Sequence, residues 1–372
     1  VDVGFLVRNA ARIALKGELD FEFDGIPLRA RNVRGKKARN LARIAANRLL
    51  PVSKTMGYPY MAHVSPAGVC NLRCDRCPAH ASDTAGRALL PYETFERFVG
   101  EVGEYLVYVI LWSWGEPLLN PDIYRMMKAA HDRGVLSVTS SHMNTLDVSS
   151  AEEMVASGLD ALIVAIDGAT PETYARLRPG GDLDLAVSNT RMLLEARERA
   201  GSATPYVNLR MVVSRENEHE VPAFKDLGRE LGVDMISFKA YSTRQAGYCD
   251  PEWDRERAPE DQALRWYEYG EDYDLGKGRG RYDCRFPWTK PTVFADGSVL
   301  MCEFDLRCEH PFGNLNEQSF SELWFSERAE GMRRAFRRDR DSFEFCRDCV
   351  YDYSVIDGCI LDAEYLTDAS GS

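Results

Sequence analysis

Cys70, Cys74 and Cys77 fall within eight residues in the spacing C-x3-C-x2-C. A thiolate triad this compact can hold three irons of a cubic iron–sulfur cluster. It leaves the fourth iron without a protein ligand, where a closed cluster normally has four cysteines. An open iron can bind and reduce a substrate or cofactor. Two plainer readings compete. A partial zinc site is one, but zinc sites usually show paired C-x2-C units and four ligands. Structural thiols are the other, and they would put three unpaired cysteines in one loop. A second set lies downstream, at Cys284, Cys302 and Cys346-x2-Cys349. Cys284 and Cys302 flank residues 292–301, which read as a β-hairpin turning at Asp296-Gly297.

These residues need a scaffold, and the pattern between 60 and 240 supplies one. Strand candidates at 60–65, 107–113, 135–139, 161–166, 206–213 and 234–239 are short, rich in Val, Ile, Leu or Tyr, and mostly unbroken by charge. That suits strands buried on both faces of a parallel sheet. Helix signals lie between them. Asn120-Pro121 places a cap before a first-turn proline, Ser149 with Glu152 and Asn217 with Glu220 fit a capping box, and Gly232 follows Leu231 where a helix should stop. Six strand–helix repeats predict an α/β fold, a partial (β/α)6 TIM-like barrel with its chemistry at the carboxyl ends of the strands. The cysteine loop follows the first strand.

Residues 1–59 read as an N-terminal extension: a short helix near 5–15, a strand pair turning at Asp24-Gly25, and a run of Arg and Lys with no acid between Asp24 and Asp75. That run suits a solvated helix outside the main domain, or a surface for an anionic substrate, a leader peptide or peripheral membrane contact. Residues 241–283 read as a connecting loop region. Its Gly276-Lys277-Gly278-Arg279-Gly280 lacks the strand and helix of a phosphate loop. Residues 284–359 hold the second cysteine set and a helix over 320–338, and 360–372 read as a tail. The formal charge of −12, from 46 basic and 58 acidic residues, argues against bulk nucleic-acid binding. Apolar residues at 45% are ample for a core. The ten cysteines sit in metal-ligand spacings rather than a disulfide framework, which predicts a reducing, cytoplasmic location. No apolar run reaches the roughly 18–20 residues of a membrane span. Asp2, Arg8 and Arg12 interrupt any signal-peptide pattern.

With Asn71, Leu72 and Pro78 around it, the triad resembles the signature of the radical S-adenosylmethionine (radical SAM) superfamily. Gly115, Glu116 and Pro117 resemble the family's Gly-Gly-Glu-Pro, with Trp114 in place of the first glycine. The resemblance implies that Glu116 takes the methionine amino group of SAM, and a buried carboxylate at a strand end needs such a cation. Ser140, Ser141, His142 and Asn144 resemble the segment that contacts the SAM carboxylate and ribose, with His142 where asparagine is usual. Asp167-Gly168, with Tyr174 and Arg178, resembles relatives carrying the same C-terminal domain; Asp167 would hold substrate, act as a base, or cap a turn. Arg210 and Lys239 are further candidates to face the pocket, or ordinary ion pairs. The C-terminal cysteines resemble SPASM and "twitch" domains. The full SPASM run C-x2-C-x5-C-x3-C is absent, so the resemblance implies a small α+β domain with one auxiliary 4Fe–4S cluster on Cys284, Cys302, Cys346 and Cys349. A structural zinc site is the alternative. Cys308 and Cys359 would support a second cluster or be buried thiols.

The implied reaction starts with one electron, from a flavodoxin- or ferredoxin-type donor, passing from the first cluster to SAM. The resulting 5′-deoxyadenosyl radical abstracts hydrogen from an unactivated carbon, in a barrel that excludes water. Electron transfer to the auxiliary cluster gives oxidation; hydrogen return from a thiol gives epimerisation. Cys249 is the candidate thiol donor, or a spare thiol. The expected substrate is a sugar- or aminocyclitol-like small molecule. A ribosomally made peptide, a lipid, and a non-catalytic iron–sulfur carrier or scaffold are the alternatives.

Overall fold

A computed structural model describes residues 3–49, 54–80, 88–243, 250–267, 284–347, 349 and 360–367. After a helix over Val3–Lys16 comes a hairpin of β1 (Leu19–Phe23) and β2 (Ile26–Ala30). Its turn residues Asp24 and Gly25 both have positive φ, 53° and 78°, as the sharp Asp-Gly hairpin turn requires. The six expected strands follow as β3 (Met61–Val64), β4 (Tyr108–Leu111), β5 (Leu136–Ser141), β6 (Ala161–Ala165), β7 (Tyr206–Val213) and β8 (Met235–Ala240). Each pairs in parallel with the next. The fold is α/β, a TIM-like partial barrel.

Alternation along these strands sorts side chains into two layers. Outward residues such as Val64, Leu111, Leu162, Leu209 and Phe238 pack among helix residues that include Phe95, Met126, Leu193 and Phe224. Inward residues, including Tyr108, Ile110, Val138, Ile163 and Met235, meet Phe21, Phe23, Ile26 and Leu28 of the hairpin. Phe21 stacks on Tyr108 at 5.0 Å, and Phe23 meets Trp112 edge-on at 5.7 Å. The hairpin is therefore a plug inside the barrel. Each fully buried side chain of this kind contributes about 1.5–3 kcal/mol. The basic helix, Gly35–Leu49, is not simply an outer solvated element. Leu41 joins the cluster around Met61 and Val107, and Lys37 Nζ donates to the Gly134 carbonyl at 2.7 Å.

Several local expectations need correction. The helix Val148–Ala156 is capped by Asp147, which accepts from Ser150 N, so Ser149 lies inside it. Asn217 accepts from Ser214 N, and Glu220 reaches away to Ala169 N and Thr170. The 320–338 helix is two, Phe320–Trp324 and Glu327–Arg338, because Ser326 caps the second by accepting from Ala329 N. Residues 360–372 are not simply a tail. The strands β9 (Thr292–Val293), β10 (Ser298–Leu300), β11 (Pro311–Asn314) and β12 (Ile360–Tyr365) complete a ten-stranded sheet in the order β11-β10-β9-β3-β4-β5-β6-β7-β8-β12. β9 lies parallel to β3, and β12 antiparallel to β8. Arg229–Glu364 and Lys225–Asp362 ion pairs and a Tyr365 hydroxyl bond to the Gly25 carbonyl fasten β12.

Two carboxylates hold the amino ends of inner strands, and they differ. Asp234 accepts from Val207 N and pairs with Arg197. Asp160 accepts from Ser137 N at 2.8 Å and, among the described residues, pairs with no such cation. Burial raises its pKa from 3.8 to about 7, and the Ser137 bond offsets this only in part. Between those values the folded chain holds a proton that the unfolded chain has lost. Asp160 therefore subtracts stability as pH climbs from 4 to 7. Asp160→Asn should raise the thermal midpoint at pH 8, by about 1 kcal/mol of stability, and leave it unchanged near pH 4.

Candidate active site at the barrel mouth

The cysteine loop leaves the end of β3 and is stitched over the mouth. Leu90 N donates to the Pro66 carbonyl, and Asn120 Nδ2 donates to the carbonyls of Pro66 and Leu90. Leu72, fully buried, anchors the centre of the loop, and Arg73 N donates to the Pro179 carbonyl at 2.8 Å. Around these anchors Cys70, Cys74 and Cys77 stay half-buried as free thiols. Burial pushes Cys70 up to about 11 and also raises Cys77. Arg178 Nη1 is the nearby cation, 4.0 Å from Cys74 Sγ. Three thiols gathered with so little positive charge deprotonate readily only when metal replaces the protons, so the donor set fits an iron cluster.

Glu116 follows β4. Its backbone N donates to the Val69 carbonyl at 2.9 Å, which ties it to the approach to Cys70. Its side chain is 3% exposed. Oε1 accepts from Leu118 N at 3.1 Å and Oε2 from His142 N at 3.2 Å. Burial raises its pKa to about 7, with bonds from Leu118, Ser141 and His142 and the more distant Arg178 charge only partly opposing. His142, 3.2 Å away, does not supply a charge: burial and then Arg178 lower its pKa to about 4. Its Nδ1 accepts from Asn144 N, so the proton sits on Nε2, facing Asn71 Oδ1 and Glu116. Among the described residues Glu116 forms no ion pair with a lysine or arginine. A buried carboxylate without a cation, next to three thiols, fits the ammonium of a bound amino acid.

Gly115 explains itself sterically. A Cβ there would stand 2.1 Å from the Ala67 carbonyl oxygen and 2.7 Å from that of Val69. Both are backbone atoms and cannot swing away. Gly115→Ala should cost about 1–3 kcal/mol, lowering the thermal midpoint and weakening SAM binding together, as read by calorimetry on the loaded chain. Pro117 opens the short helix Pro117–Leu119 that Glu116 caps.

The other predicted residues separate into facing and supporting roles. Ser141 Oγ accepts from Met143 N and also bonds Glu116. Ser140 lies half-buried on the inner face of β5. Asn144 is committed to the loop: it donates to the His142 carbonyl and Tyr174 hydroxyl and accepts from Asp182 N. Asp167 is committed too. Oδ2 takes Arg178 at 2.7 Å and Oδ1 accepts from Val212 N at 2.9 Å. Burial works against the Arg178 charge, but Asp167 and Cys74 hold it protonated. Arg210 and Lys239 meet Asp24 at the hairpin tip.

In the second set, Cys302 follows β10 and lies near Cys346 and Cys349. Burial raises Cys284 to about 11 and Cys302 further. Cys308 stands instead beside Ser298, Asp296 and Asp305. Cys249 and Cys359 lie outside the described residues. Sequence reasoning missed a buried charged group that joins Cys302 to the inner face of β3. Lys290 pairs with Glu303 at 2.7 Å, and Glu303 Oε2 is 3.6 Å from Cys302 Sγ. His63 Nε2 donates to the Trp112 carbonyl, and its Nδ1 lies 3.7 Å from Glu303 Oε1. An inward histidine on β3 was the available signal.

The chain matches the radical SAM superfamily over residues 64–228 and the SPASM iron–sulfur cluster-binding domain over 284–350. It belongs to the radical SAM superfamily and carries a C-terminal SPASM domain. It is 26% identical over 200 residues to the AdoMet-dependent heme synthase of Methanosarcina barkeri, covering 53% of this chain and 54% of that protein. It thus spans about half the length of that relative. It is 24% identical over 305 residues to the PqqA peptide cyclase of Ruegeria pomeroyi, covering 75% and 76%. Among solved structures it resembles Streptococcus suis SuiB bound to precursor peptide SuiA, with TM-score 0.57, 17% identity, and coverage of 80% of this chain and 70% of that one. The cofactors are SAM, a 4Fe–4S cluster and an auxiliary iron–sulfur cluster. Members of this superfamily are enzymes. No helix among the described residues is long and apolar enough to cross a membrane.

Proposed function

We propose that this chain is a radical SAM oxidoreductase acting on a peptide substrate. When bound, the cluster and SAM supply a 5′-deoxyadenosyl radical that takes hydrogen from an unactivated carbon. Cys70, Cys74 and Cys77 hold the first cluster. Glu116 receives the SAM ammonium, with Ser140, Ser141 and His142 lining that end of the site and Asn144 fixing their loop. Asp167 positions Arg178 against the cysteine loop rather than acting as a free base, since both its oxygens are occupied. Cys284, Cys302, Cys346 and Cys349 would hold the auxiliary cluster, which would supply an acceptor for one electron from the substrate radical. A flavodoxin- or ferredoxin-type protein delivers the initiating electron.

The observation that carries the reaction is Glu116, a buried carboxylate that forms no ion pair with a lysine or arginine among the described residues, bonded through its backbone to the approach to Cys70. An electron carrier has no use for it. The peptide class draws support from the extended likeness to a peptide cyclase. The sugar- or aminocyclitol-like substrate expected from sequence draws none from the relatives reported above. Anaerobic incubation of the reconstituted chain with SAM and dithionite tests the reading: 5′-deoxyadenosine should form, and its absence sinks the proposal.

A further inference from the structure

The plug raises the floor of the barrel almost to its mouth. Phe21 and Phe23 fill the level of Tyr108 and Trp112, and the tip reaches the second half of β7 and β8. There Arg210 and Lys239 point inward, as their register positions beside Ser237 and Val212 require. Space for a substrate inside the barrel is therefore a shallow upper layer, and Asp24, Arg210 and Lys239 form part of its floor.

The charges on that floor do not cancel. Arg210 is consumed: its guanidinium bonds the Asp24 carboxylate, the Asp24 carbonyl at 2.7 Å and Ser237 Oγ at 3.0 Å. Lys239 is not. Its Nζ stands 3.5 Å from Asp24 Oδ1, its one acidic partner among the described residues. Its side chain is 21% exposed, against 6% for Arg210 and 10% for Asp24. One carboxylate between two cations leaves one positive charge, and the lysine carries it at the accessible edge. A half-buried ammonium with donors to spare is a site for an anion.

We propose that Lys239, seated on the Asp24–Arg210 pair, is a subsite for an anionic group of the substrate, a carboxylate or a phosphate. The proposal rests on the reading that substrate enters the barrel mouth. It makes the N-terminal hairpin a specificity element as well as a core element.

The test is calorimetric titration of the anaerobically reconstituted, SAM-loaded chain with glutarate and, separately, inorganic phosphate. Saturable binding of one of them is expected, and the better binder identifies carboxylate or phosphate as the source. Lys239→Met, which keeps the Asp24–Arg210 pair, should weaken that binding at least about tenfold, and Lys239→Gln should do the same. Lys225→Met, at an exposed ion pair with Asp362, should leave it unchanged. No saturable binding of either anion, or equal binding by Lys239→Met and wild type, overturns the subsite. Formation of 5′-deoxyadenosine by the wild-type chain reports separately. Cleavage without anion binding removes the subsite alone, and anion binding without cleavage removes the reaction alone.

Discussion

Cys70→Ala, Cys74→Ala and Cys77→Ala combined in one chain will lower iron content by about four atoms per chain and abolish 5′-deoxyadenosine formation. The reason lies in how the loop is held. Its fold depends on the buried Leu72 side chain, the Arg73 N bond to Pro179 and the bonds from Leu90 and Asn120, none of which uses a thiol, while the bond from Leu72 N to Cys70 Sγ is lost with the substitution. The substituted loop therefore keeps its course while losing its ligands. The auxiliary set is separate in sequence and packs around Cys302 beyond β10, so its iron should stay. Iron and sulfide counting on anaerobically reconstituted protein reads this directly. Retention of full iron content would show that the triad holds no cluster, and loss of all iron would show that the two sets are not independent.

Glu116→Gln comes next in size and discriminates more finely. Glutamine keeps the shape and an acceptor for Leu118 N, but removes the buried charge. Without SAM the chain should lose no stability, because that carboxylate is costly where it stands: burial raises its pKa to about 7 even with hydrogen bonds and the Arg178 charge opposing it. With SAM the cation loses its partner, and a charge-assisted bond of this kind is worth a factor of about 100 in affinity. Titration of SAM followed by the spectrum of the cluster should show that weakening while iron content stays at the wild-type level. Unchanged SAM affinity would remove Glu116 from the site.

Much of this was legible in the residues. The inner strands are legible because parallel strands covered on both faces need unbroken apolar runs, and 107–113 and 206–213 are such runs. The Asp24-Gly25 and Asp296-Gly297 turns are legible because few residues take the positive φ that Asp24, Gly25 and Gly297 adopt there. The hairpin's destination was not. Phe21 and Phe23 alternating with Glu22 announce one buried face, but not that the face is the inside of a barrel. Residues 360–365 carry too little apolar alternation to stand as a strand alone; β8 and the ion pairs of Arg229 and Lys225 complete them. Asp167 stood open between substrate contact, base and turn cap because its partners, Arg178 and Val212 N, come from other elements. In the cysteine loop, spacing marks the candidates, while the long-range anchors at Leu90 and Asn120 emerge only in three dimensions.

The sheet order also bears on how the molecule comes to exist. An open barrel of six strands has two raw edges, and each would pair readily with another chain. Here both are covered by segments that lie later in the chain: β9 lies on β3 and β12 on β8. During synthesis, β3 must wait until residue 292 has emerged, and β8 until residue 360. Such distant pairings form slowly and leave a growing chain open to aggregation. Truncation before residue 284 would thus yield a sticky fragment rather than a smaller enzyme.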